Sequence, residues 1–292
     1  MFRGTFTAVV TPFRDGDVDL GAFEKLIEAQ INGGITGLVV VGTTGESPTL
    51  THEEKEKVIE RAIKIANGRC KVLAGTGTNS THDTISATKF AEKAGADGAL
   101  LVAPYYNKPS QEGLFRHFKA IADATALPIM LYNIPGRCSV DILPDTVVRL
   151  SESCRNIVCI KEASGSVERV NELRRRLPDT FTILSGDDSL TLPFMAVGAA
   201  GVVSVASHLF PAEVCALVRA CHSGDLKTAG KLHHKLLPLF KDLFIEPNPV
   251  PVKTALNWRG VMSGEVRLPL CEMSEPNQTR LRKTLEAFES NK

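Results

Sequence analysis

The sequence predicts an α/β protein, a (β/α)8 TIM barrel that is followed by a C-terminal helical appendage. Short β-branched runs alternate with amphipathic helical segments, which indicates parallel βαβ units. About eight such units fit within about 220 residues, the usual size of this barrel. An open doubly wound sheet is the alternative, but it would carry a glycine-rich phosphate loop after its first strand. The first loop here is Thr11-Pro12-Phe13, so the barrel is favoured.

The predicted strands are short apolar runs, and each is followed by a loop and an amphipathic helix. The strands are predicted at residues 6–10, 37–41, 71–74, 99–103, 128–132, 157–161, 181–184 and 202–205. The helices are predicted near residues 19–33, 51–66, 80–94, 110–124, 143–151, 166–176, 188–197 and 211–222. Several helix starts carry capping residues; Thr51, for example, precedes Glu54 by three positions, as in a capping box.

The strand–helix alternation ends near Gly224, and this predicts two parts of the chain. Residues 1–224 would form the catalytic barrel, and residues 225–292 a helical domain. Helical patterns in the second part cover residues 225–243, 250–261 and 275–289, and a proline-rich stretch at 246–251 separates the first two. A segment this small is expected to depend on the barrel for its stability.

Composition excludes several classes of function. The chain has 292 residues, with 34 basic and 33 acidic side chains and a net charge of +1. This balance gives no electrostatic reason to bind nucleic acid or an anionic membrane. No apolar run approaches the length of a membrane span, and the N-terminus lacks the pattern of a signal peptide. We therefore expect no membrane association.

Cysteine and histidine usage points to a cytoplasmic protein without a metal site. The seven cysteines are odd in number and form no CxxC pair, which is typical of reduced thiols. His233 and His234 are neighbours on a predicted helix, so they point about 100° apart and do not share a ligand face.

Polar residues gather at the predicted carboxyl ends of the strands, where barrel enzymes place their active sites. Lys161 follows the buried run 157–160, where an ammonium is either paired or desolvated. Desolvation would free a neutral amine to attack a carbonyl carbon. Taken alone, this stretch favours the simpler interpretation that Lys161 leaves the strand into solvent. All three tyrosines (Tyr105, Tyr106 and Tyr132) fall at strand ends, which makes the catalytic interpretation stronger.

Other strand ends complete a plausible site. Gly42-Thr43-Thr44-Gly45-Glu46 places two hydroxyls and several backbone N–H groups in a tight turn that suits a carboxylate, although an ordinary turn would look the same. Arg137 follows the fifth strand. An amine, hydroxyl acids, a carboxylate cradle and an arginine fit a 2-oxo acid that forms an imine, then an enamine that attacks an aldehyde. The protonated imine is the electron sink, so this chemistry needs no metal.

These motifs, in their order and spacing, resemble the dihydrodipicolinate synthase family. The resemblance rests on 42–46, 132–137 (Tyr-Asn-Ile-Pro-Gly-Arg) and 160–164 (Ile-Lys-Glu-Ala-Ser), and it runs from about residue 2 to 270, including 184–188 and 244–249. The motifs are specific to a wider pyruvate-lyase superfamily that includes N-acetylneuraminate lyase. The double threonine, Arg137 and Lys-Glu-Ala favour the synthases.

The resemblance implies a role for each matching residue. Lys161 would condense with pyruvate, and Tyr132 would be the central proton donor and acceptor, linked through Thr43 to Tyr106. Tyr106 would reach into the site of a neighbouring subunit in a homotetramer, a dimer of dimers. Thr44 and the backbone of Val203 would hold the pyruvyl group, and Arg137 would attract the carboxylate of aspartate semialdehyde. No cofactor is implied beyond the imine on Lys161.

The resemblance also implies a cleft that binds lysine as an inhibitor. Its matching residues here are Ser47, Pro48, His52, Lys55, Asn79, Asp83 and Tyr105. Lys55 stands where sensitive members carry histidine, and Asp83 where they carry glutamate. A cation at 55 would repel the amino groups of lysine, so we predict weak or absent inhibition. If Lys55 is only a helix-surface residue, regulation stays undecided.

Two further interpretations stay open from the sequence. The chain could be another 2-oxo-acid aldolase of the same superfamily, such as an N-acetylneuraminate or 2-keto-3-deoxygluconate lyase. It could also be a catalytically silent barrel. The presence together of all the matching site residues argues against this: Thr43, Thr44, Tyr106, Tyr132, Arg137 and Lys161.

Overall fold

The computed structural model describes residues 2–290 and contains a closed barrel of eight parallel strands, as predicted. The strands are β1 (Gly4–Ala8), β2 (Phe13–Arg14), β3 (Asp17–Val18), β4 (Gly37–Val40), β5 (Lys71–Gly75), β6 (Gly98–Val102), β7 (Ile129–Asn133), β8 (Ile157–Glu162), β9 (Thr182–Ser185) and β10 (Gly201–Ser204). Around the barrel the strands follow the chain order β1, β4, β5, β6, β7, β8, β9 and β10, and β10 pairs with β1 to close it.

Helices alternate with the barrel strands and cover the outside of the barrel, and further helices follow β10. They are α1 (Leu20–Asn32), α2 (His52–Ala66), α3 (Thr81–Ala94), α4 (Gln111–Asp123), α5 (Pro135–Cys138), α6 (Pro144–Ser153), α7 (Val167–Arg176), α8 (Thr191–Ala196), α9 (Pro211–His222), α10 (Leu226–Asp242), α11 (Val250–Trp258) and α12 (Glu275–Ser290). Single turns of 3₁₀ helix follow β4, β9 and β10, at Ser47–Thr49, Asp188–Leu190 and Ala206–His208. The predicted fold class is confirmed.

The predicted capping residues begin the helices as expected. Thr51 accepts a hydrogen bond from the N–H of Glu54, and the Glu54 carboxylate accepts one from the N–H of Thr51, so the capping box is complete. Ser110 and Ser166 accept hydrogen bonds at the starts of α4 and α7. These bonds satisfy N–H groups that have no partner within the helix.

Near the start of the chain, two elements differ from the prediction. The hairpin β2–β3 was not predicted, and its two-residue strands are too short to give a periodic pattern; its turn contains Gly16 at a φ of +87°. The first strand was predicted at residues 6–10 but ends at Ala8. Beyond it the Val10 N–H donates to His208 Nε2 and so leaves the strand ladder.

The barrel interior is filled by alternate residues of the strands, and the wall between sheet and helices forms a second core. Inward-facing side chains include Phe6, Met130, Cys159 and Leu184, and all are fully buried. Because strand side chains alternate between the two faces, this pattern also sends Lys161 inward and Glu162 outward.

The helices after β10 pack on the barrel and share its outer core. Leu236 of α10, Leu256 of α11 and Leu285 of α12 belong to the same buried cluster as the barrel wall. Phe288 packs against Phe210 in a tilted arrangement, with 4.3 Å between the ring centroids. The helical character predicted for this part is present, and the division of the chain at residue 224 stays a prediction.

Candidate active site

Lys161 lies near the carboxyl end of β8 and points into the barrel. Its register partner on β7 is Tyr132, and its Nζ lies 4.1 Å from the centroid of the Tyr132 ring. The neighbouring Glu162 is directed to the other face and pairs with Arg169, at 2.6 Å between Oε2 and Nε. Of the three arrangements that the sequence allows for this lysine, ion-paired, desolvated or exposed to solvent, the structure shows the desolvated one.

Burial shifts the protonation equilibrium of Lys161 toward the neutral amine. The side chain is only 6% exposed, and burial lowers the pKa of its ammonium to about 7, because the charged form loses its hydration. The carboxylate of Asp188 opposes this effect and Arg137 adds to it. At pH 7 a substantial fraction of the amine is therefore neutral and able to attack a carbonyl carbon.

Gly186, after β9, leaves the space that the Lys161 side chain occupies. A β-carbon at this position would lie 2.7 Å from Ala163 Cβ and 3.1 Å from Lys161 Cε. The first distance is too short for any real contact, so a larger residue would displace the lysine chain or the strand that carries it. This requirement explains why the turn after β9 contains glycine at this position.

Asp188 is a buried acid on the same side of the barrel. Its Oδ2 accepts hydrogen bonds from the N–H groups of Val205 (2.8 Å) and Ala206 (3.0 Å), and Ser204 also donates to the carboxylate. Its Oδ1 has no hydrogen-bond partner within the described residues. Burial raises the pKa of Asp188 to about 6, and these donors act in the opposite direction.

A cavity of about 220 Å³ opens beside Tyr132 at the barrel mouth. Thr43, Tyr132 and Arg137 are among its lining residues. Tyr132 and Thr43 share a hydrogen bond. Burial raises the pKa of Tyr132 to about 12, and Arg137 and the Thr43 bond oppose this rise. Tyr132 is therefore a neutral phenol that can donate a proton and take it back.

Arg137 stands on a short helix that the sequence did not predict. Helix α5 (Pro135–Cys138) interrupts the loop after β7 and leaves Arg137 exposed at the mouth. The thiol of Cys138 is buried and lines the cavity, and burial raises its pKa to about 11. Cys138 is therefore protonated at neutral pH and contributes an apolar surface.

A buried polar network behind the site fixes this loop. Asn133 Nδ2 donates to Asp141 Oδ1 at 2.8 Å, and Asn133 Oδ1 accepts from the Ile142 N–H at 3.0 Å. The guanidinium of Arg169 contacts both Glu162 and Asp141. Since Asn133 and Glu162 directly follow Tyr132 and Lys161, the network also fixes the ends of the two strands that carry them.

The structure separates some residues that the resemblance placed together. Thr44 is buried and accepts a hydrogen bond from Asn248 Nδ2 at 2.9 Å, and it does not line the cavity. Val203 is buried in the barrel interior, in the same cluster as Tyr132 and Leu184. Lys161, Thr44 and Val203 thus lie in the barrel beside the cavity and are not among the residues that line it.

Tyr106 points away from the barrel of its own chain. It is 89% exposed and has a φ of +72°, an uncommon backbone conformation for an aromatic residue. The adjacent Tyr105 turns inward instead and lines the cavity. Within one chain, therefore, Tyr106 makes no contribution to the cavity.

The residues of the predicted regulatory cleft divide between two adjoining cavities. Ser47, Pro48 and Tyr105 line the cavity at the barrel mouth, whereas His52, Lys55 and Asp83 line another of about 260 Å³ between α2 and α3. Gly75 borders both. Asn79 lies nearby, and its carbonyl oxygen accepts a hydrogen bond from Asn107.

The charged groups of the second cavity differ in their surroundings. Lys55 is half-buried, and burial lowers its pKa. Asp83 is engaged by neighbours, because hydrogen bonds from His82 and Ser80 lower its pKa. A carboxylate that already has partners on its own helix is less available to a ligand amine.

Sequence reasoning assigned no role to Gly186, Asp188, Cys138 or Asn248. Gly186, Asp188 and Asn248 lie inside motifs that carried the resemblance. The signal that could have identified them is position, since each follows a strand or lies in a proline-rich turn at the barrel mouth. Their partners, however, come from distant parts of the chain, as with Asn248 and Thr44.

No metal cluster and no membrane span occurs in the part of the chain that the structure describes. Within residues 2–290 no group of three or more His, Cys, Asp and Glu side chains could hold a metal ion. None of the helices in this range is long and apolar enough to cross a bilayer.

The fold and the site define a (β/α)8 barrel enzyme of the lyase class with a desolvated lysine at its mouth. Residues 1–288 match the profile of the dihydrodipicolinate synthetase family. The chain belongs to this family, and the resemblance seen in the motifs is confirmed.

Individual relatives agree with this assignment. The chain is 52% identical over 288 residues to a 4-hydroxy-tetrahydrodipicolinate synthase of Endomicrobium trichonymphae, covering 99% of each chain. The solved 4-hydroxy-tetrahydrodipicolinate synthase of Methylacidiphilum fumariolicum SolV superposes with a TM-score of 0.98 at 56% identity, over 99% of this chain and 97% of that one. A monomeric dihydrodipicolinate synthase variant matches with a TM-score of 0.97 at 43% identity, over 99% and 97%.

Proposed function

We propose that the protein condenses pyruvate with L-aspartate 4-semialdehyde to give 4-hydroxy-tetrahydrodipicolinate, the first committed step of diaminopimelate and lysine biosynthesis. The observation that carries the proposal is Lys161, a buried lysine against the Tyr132 ring whose pKa is lowered to about 7. The relatives described above carry this activity in their names. A cytoplasmic location accompanies the proposal as a prediction.

The reaction begins with attack of the neutral Lys161 amine on the keto carbon of pyruvate. Loss of water from the resulting carbinolamine gives an imine, and loss of a methyl proton converts it to an enamine. The enamine carbon attacks the aldehyde carbon of the second substrate, and the aldehyde oxygen takes up a proton to become the 4-hydroxyl. The substrate's own amine then attacks the imine carbon, closes a six-membered ring and releases Lys161.

Tyr132 and Thr43 transfer the protons of this sequence. Tyr132 has a pKa of about 12, so it is protonated at the start, and the Thr43 hydroxyl is its hydrogen-bond partner. A phenol that donates a proton and regains it can serve both loss of water and protonation of the aldehyde oxygen. No external cofactor is needed, because the protonated imine withdraws the electron pair.

Thr44, Val203 and Arg137 bind the substrates in this proposal. Thr44 and the backbone of Val203 hold the pyruvyl group. Arg137 is exposed at the mouth, where its guanidinium can pair with the carboxylate of aspartate semialdehyde. Arg137 also lowers the pKa of Lys161, so it favours the neutral nucleophile.

We further propose that the protein is a homotetramer, a dimer of dimers, in which Tyr106 completes the site of the neighbouring subunit. The 89% exposure of Tyr106 in a single chain supports this role. Analytical ultracentrifugation tests the assembly. A monomer that retains full activity and is unaffected by Tyr106→Phe would contradict it; one solved relative is itself described as a monomeric variant.

We propose that lysine inhibits this protein weakly or not at all. Lys55 places a cation in the cavity between α2 and α3, and Asp83 is held by His82 and Ser80. A titration with lysine up to tens of millimolar measures the effect. Half-inhibition well below millimolar would contradict the proposal, whereas a Lys55→His, Asp83→Glu double variant should become more sensitive.

The experiment that tests the activity is pyruvate consumption by the purified protein with one of three aldehydes. Aspartate semialdehyde should support rapid turnover. N-acetylmannosamine and glyceraldehyde are the matched alternatives, since the related lyases of the superfamily act on sugar aldehydes. Turnover with a sugar aldehyde instead would retain Lys161 as the nucleophile but refute the proposed substrate.

A further inference from the structure

The C-terminal part of the chain reaches the loop that carries Thr43 and Thr44. Asn248 lies between α10 and α11 and is only 6% exposed. Its Nδ2 donates to Thr44 Oγ1 at 2.9 Å, across 204 positions of sequence. Its Oδ1 is buried and has no hydrogen-bond partner in the range 2–290. A buried amide oxygen without a hydrogen-bond partner lowers the stability of the folded protein, so a structural role alone explains Asn248 poorly.

The direction of this hydrogen bond determines what the Thr44 hydroxyl can do. A hydroxyl has one proton to donate and two lone pairs that accept. Since Asn248 supplies a proton to Thr44 Oγ1, the proton of Thr44 itself stays free for another partner. A carboxylate only accepts hydrogen bonds, so it requires a donor. An acceptor in place of the amide would instead take the Thr44 proton.

The same loop is held by a buried ion pair from the C-terminal part. Lys253 of α11 pairs with Glu46, and both side chains are essentially inaccessible to solvent. The Arg267 N–H donates to the other oxygen of Glu46 at 3.1 Å. Glu46 has a φ of +54°, a conformation that non-glycine residues adopt rarely, and these contacts hold it there.

Further contacts of Lys253 and Arg267 hold the same loop in place. Its Nζ lies 4.1 Å from the centroid of the Phe13 ring and donates to the carbonyl oxygen of Glu265 at 2.8 Å. The Arg267 guanidinium donates to the Thr49 carbonyl oxygen and to the Glu54 carboxylate. The loop is thus fixed at Thr44, Glu46 and Thr49 by residues more than 200 positions away.

We propose that Asn248 is a positioning residue for pyruvate. By donating to Thr44 Oγ1, it directs the Thr44 hydroxyl proton toward the carboxylate of bound pyruvate, while Lys253 holds the loop through Glu46. The C-terminal helices are then part of the substrate site as well as a support for the barrel. The inference rests on the proposed function, because it requires pyruvate to be the substrate that Lys161 binds.

The test measures how the imine at Lys161 depends on pyruvate concentration, without the second substrate. The full-length protein is mixed with pyruvate at pH 8, trapped with borohydride and analysed by mass spectrometry. Asn248→Ala removes the donor and should raise the half-saturating pyruvate concentration about fivefold, the effect of one neutral hydrogen bond. Asn248→Asp has almost the same shape but presents an acceptor and a negative charge, and should raise it more than about tenfold.

The order of the two variants distinguishes positioning from packing. If Asn248 only filled space, the isosteric Asp would be milder than Ala, and that order would overturn the proposal. In a Thr44→Val background the Asn248→Asp change should keep only the part of its effect that comes from the added charge, since no hydroxyl remains to be reoriented. Full effect in that background would also overturn it. Thr44→Val alone leaves Asn248 intact. If a variant at 248 does not fold, this variant still measures how much the Thr44 hydroxyl contributes to pyruvate saturation.

A matched control and a separate failure outcome complete the design. Asn257→Asp introduces the same charge on the exposed surface of α11 and should leave pyruvate saturation unchanged. If the parent protein forms no imine with pyruvate, the proposed function fails. If the parent forms it and both Asn248 variants saturate like the parent, only the role of Asn248 fails.

Discussion

Replacement of Lys161 by methionine should stabilise the protein while it abolishes activity. Burial lowers the pKa of this lysine from its ordinary value of 10.5 to about 7. Since one pKa unit corresponds to about 1.4 kcal/mol, keeping the group desolvated costs about 4 kcal/mol of folding free energy at pH 7. Methionine has a similar length and no charge, so it removes this cost. The variant also loses the cation–π contact with the Tyr132 ring, which stabilises the parent by about 1 kcal/mol. The free energy of unfolding should therefore rise by about 3 kcal/mol.

The pH dependence of this gain identifies its cause. The folded protein holds the Lys161 proton less tightly than the unfolded chain, so the parent gains stability from this group as the pH rises from about 7 toward 10.5. The difference between Lys161→Met and the parent should therefore be largest at and below pH 7 and close to zero at pH 10. Below the folded pKa the cost is constant, because both states are then protonated.

Denaturant unfolding at pH 7 and pH 10 measures both predictions. Lys89→Met serves as the control, because Lys89 is exposed on α3 and its replacement should change stability little at either pH. A Lys161→Met variant that is no more stable than the parent at pH 7 would refute the reasoning. So would a gain of the same size at both pH values, since packing rather than desolvation would then explain it.

Three further predictions test the site. Tyr132→Phe should lower kcat by at least about 100-fold and change the half-saturating pyruvate concentration little, because it removes a proton donor; parent-like turnover in steady-state kinetics would exclude the role. Gly186→Ala should slow imine formation more than tenfold, since its Cβ would lie 2.7 Å from Ala163 Cβ, whereas Gly230→Ala, with no atom within 4 Å, should be harmless in the same trapping assay. In the parent, the rate of imine formation should rise with pH through about 7, the pKa of Lys161. Asp188→Asn should move the midpoint of this pH profile to lower pH and Arg137→Gln should move it to higher pH, because the Asp188 carboxylate raises the pKa of Lys161 and Arg137 lowers it. Shifts of both variants in the same direction would contradict the assigned charges.

The barrel could be predicted because its strands and helices are recognised from residues that are close together in the sequence. Each strand is a short, mostly apolar run, and several helices begin with a capping residue such as Thr51. Once the barrel is assumed, polar residues at the carboxyl ends of the strands are expected to be site residues. This logic placed Lys161 and Tyr132 at the mouth, and their register pairing is observed.

The parts that were missed depend on contacts between distant residues. Nothing near Asn248 in the sequence indicates that it contacts Thr44, and Lys253 looks like an ordinary helix-surface lysine until its buried partner Glu46 is seen. Helix α5 was missed because four residues are too few for a periodic pattern. The Asp15-Gly16 dipeptide, in contrast, is a typical hairpin-turn sequence, so this turn could have been predicted.

The position of the nucleophile is the central claim, and trapping tests it most directly. The protein is incubated with pyruvate and borohydride, digested, and the modified peptide is identified by mass spectrometry. We expect one reduced pyruvyl adduct, on Lys161, and none in Lys161→Met. An adduct on another lysine, or one that persists at the same level in Lys161→Met, would show that the desolvated lysine of β8 is not the group that binds the substrate.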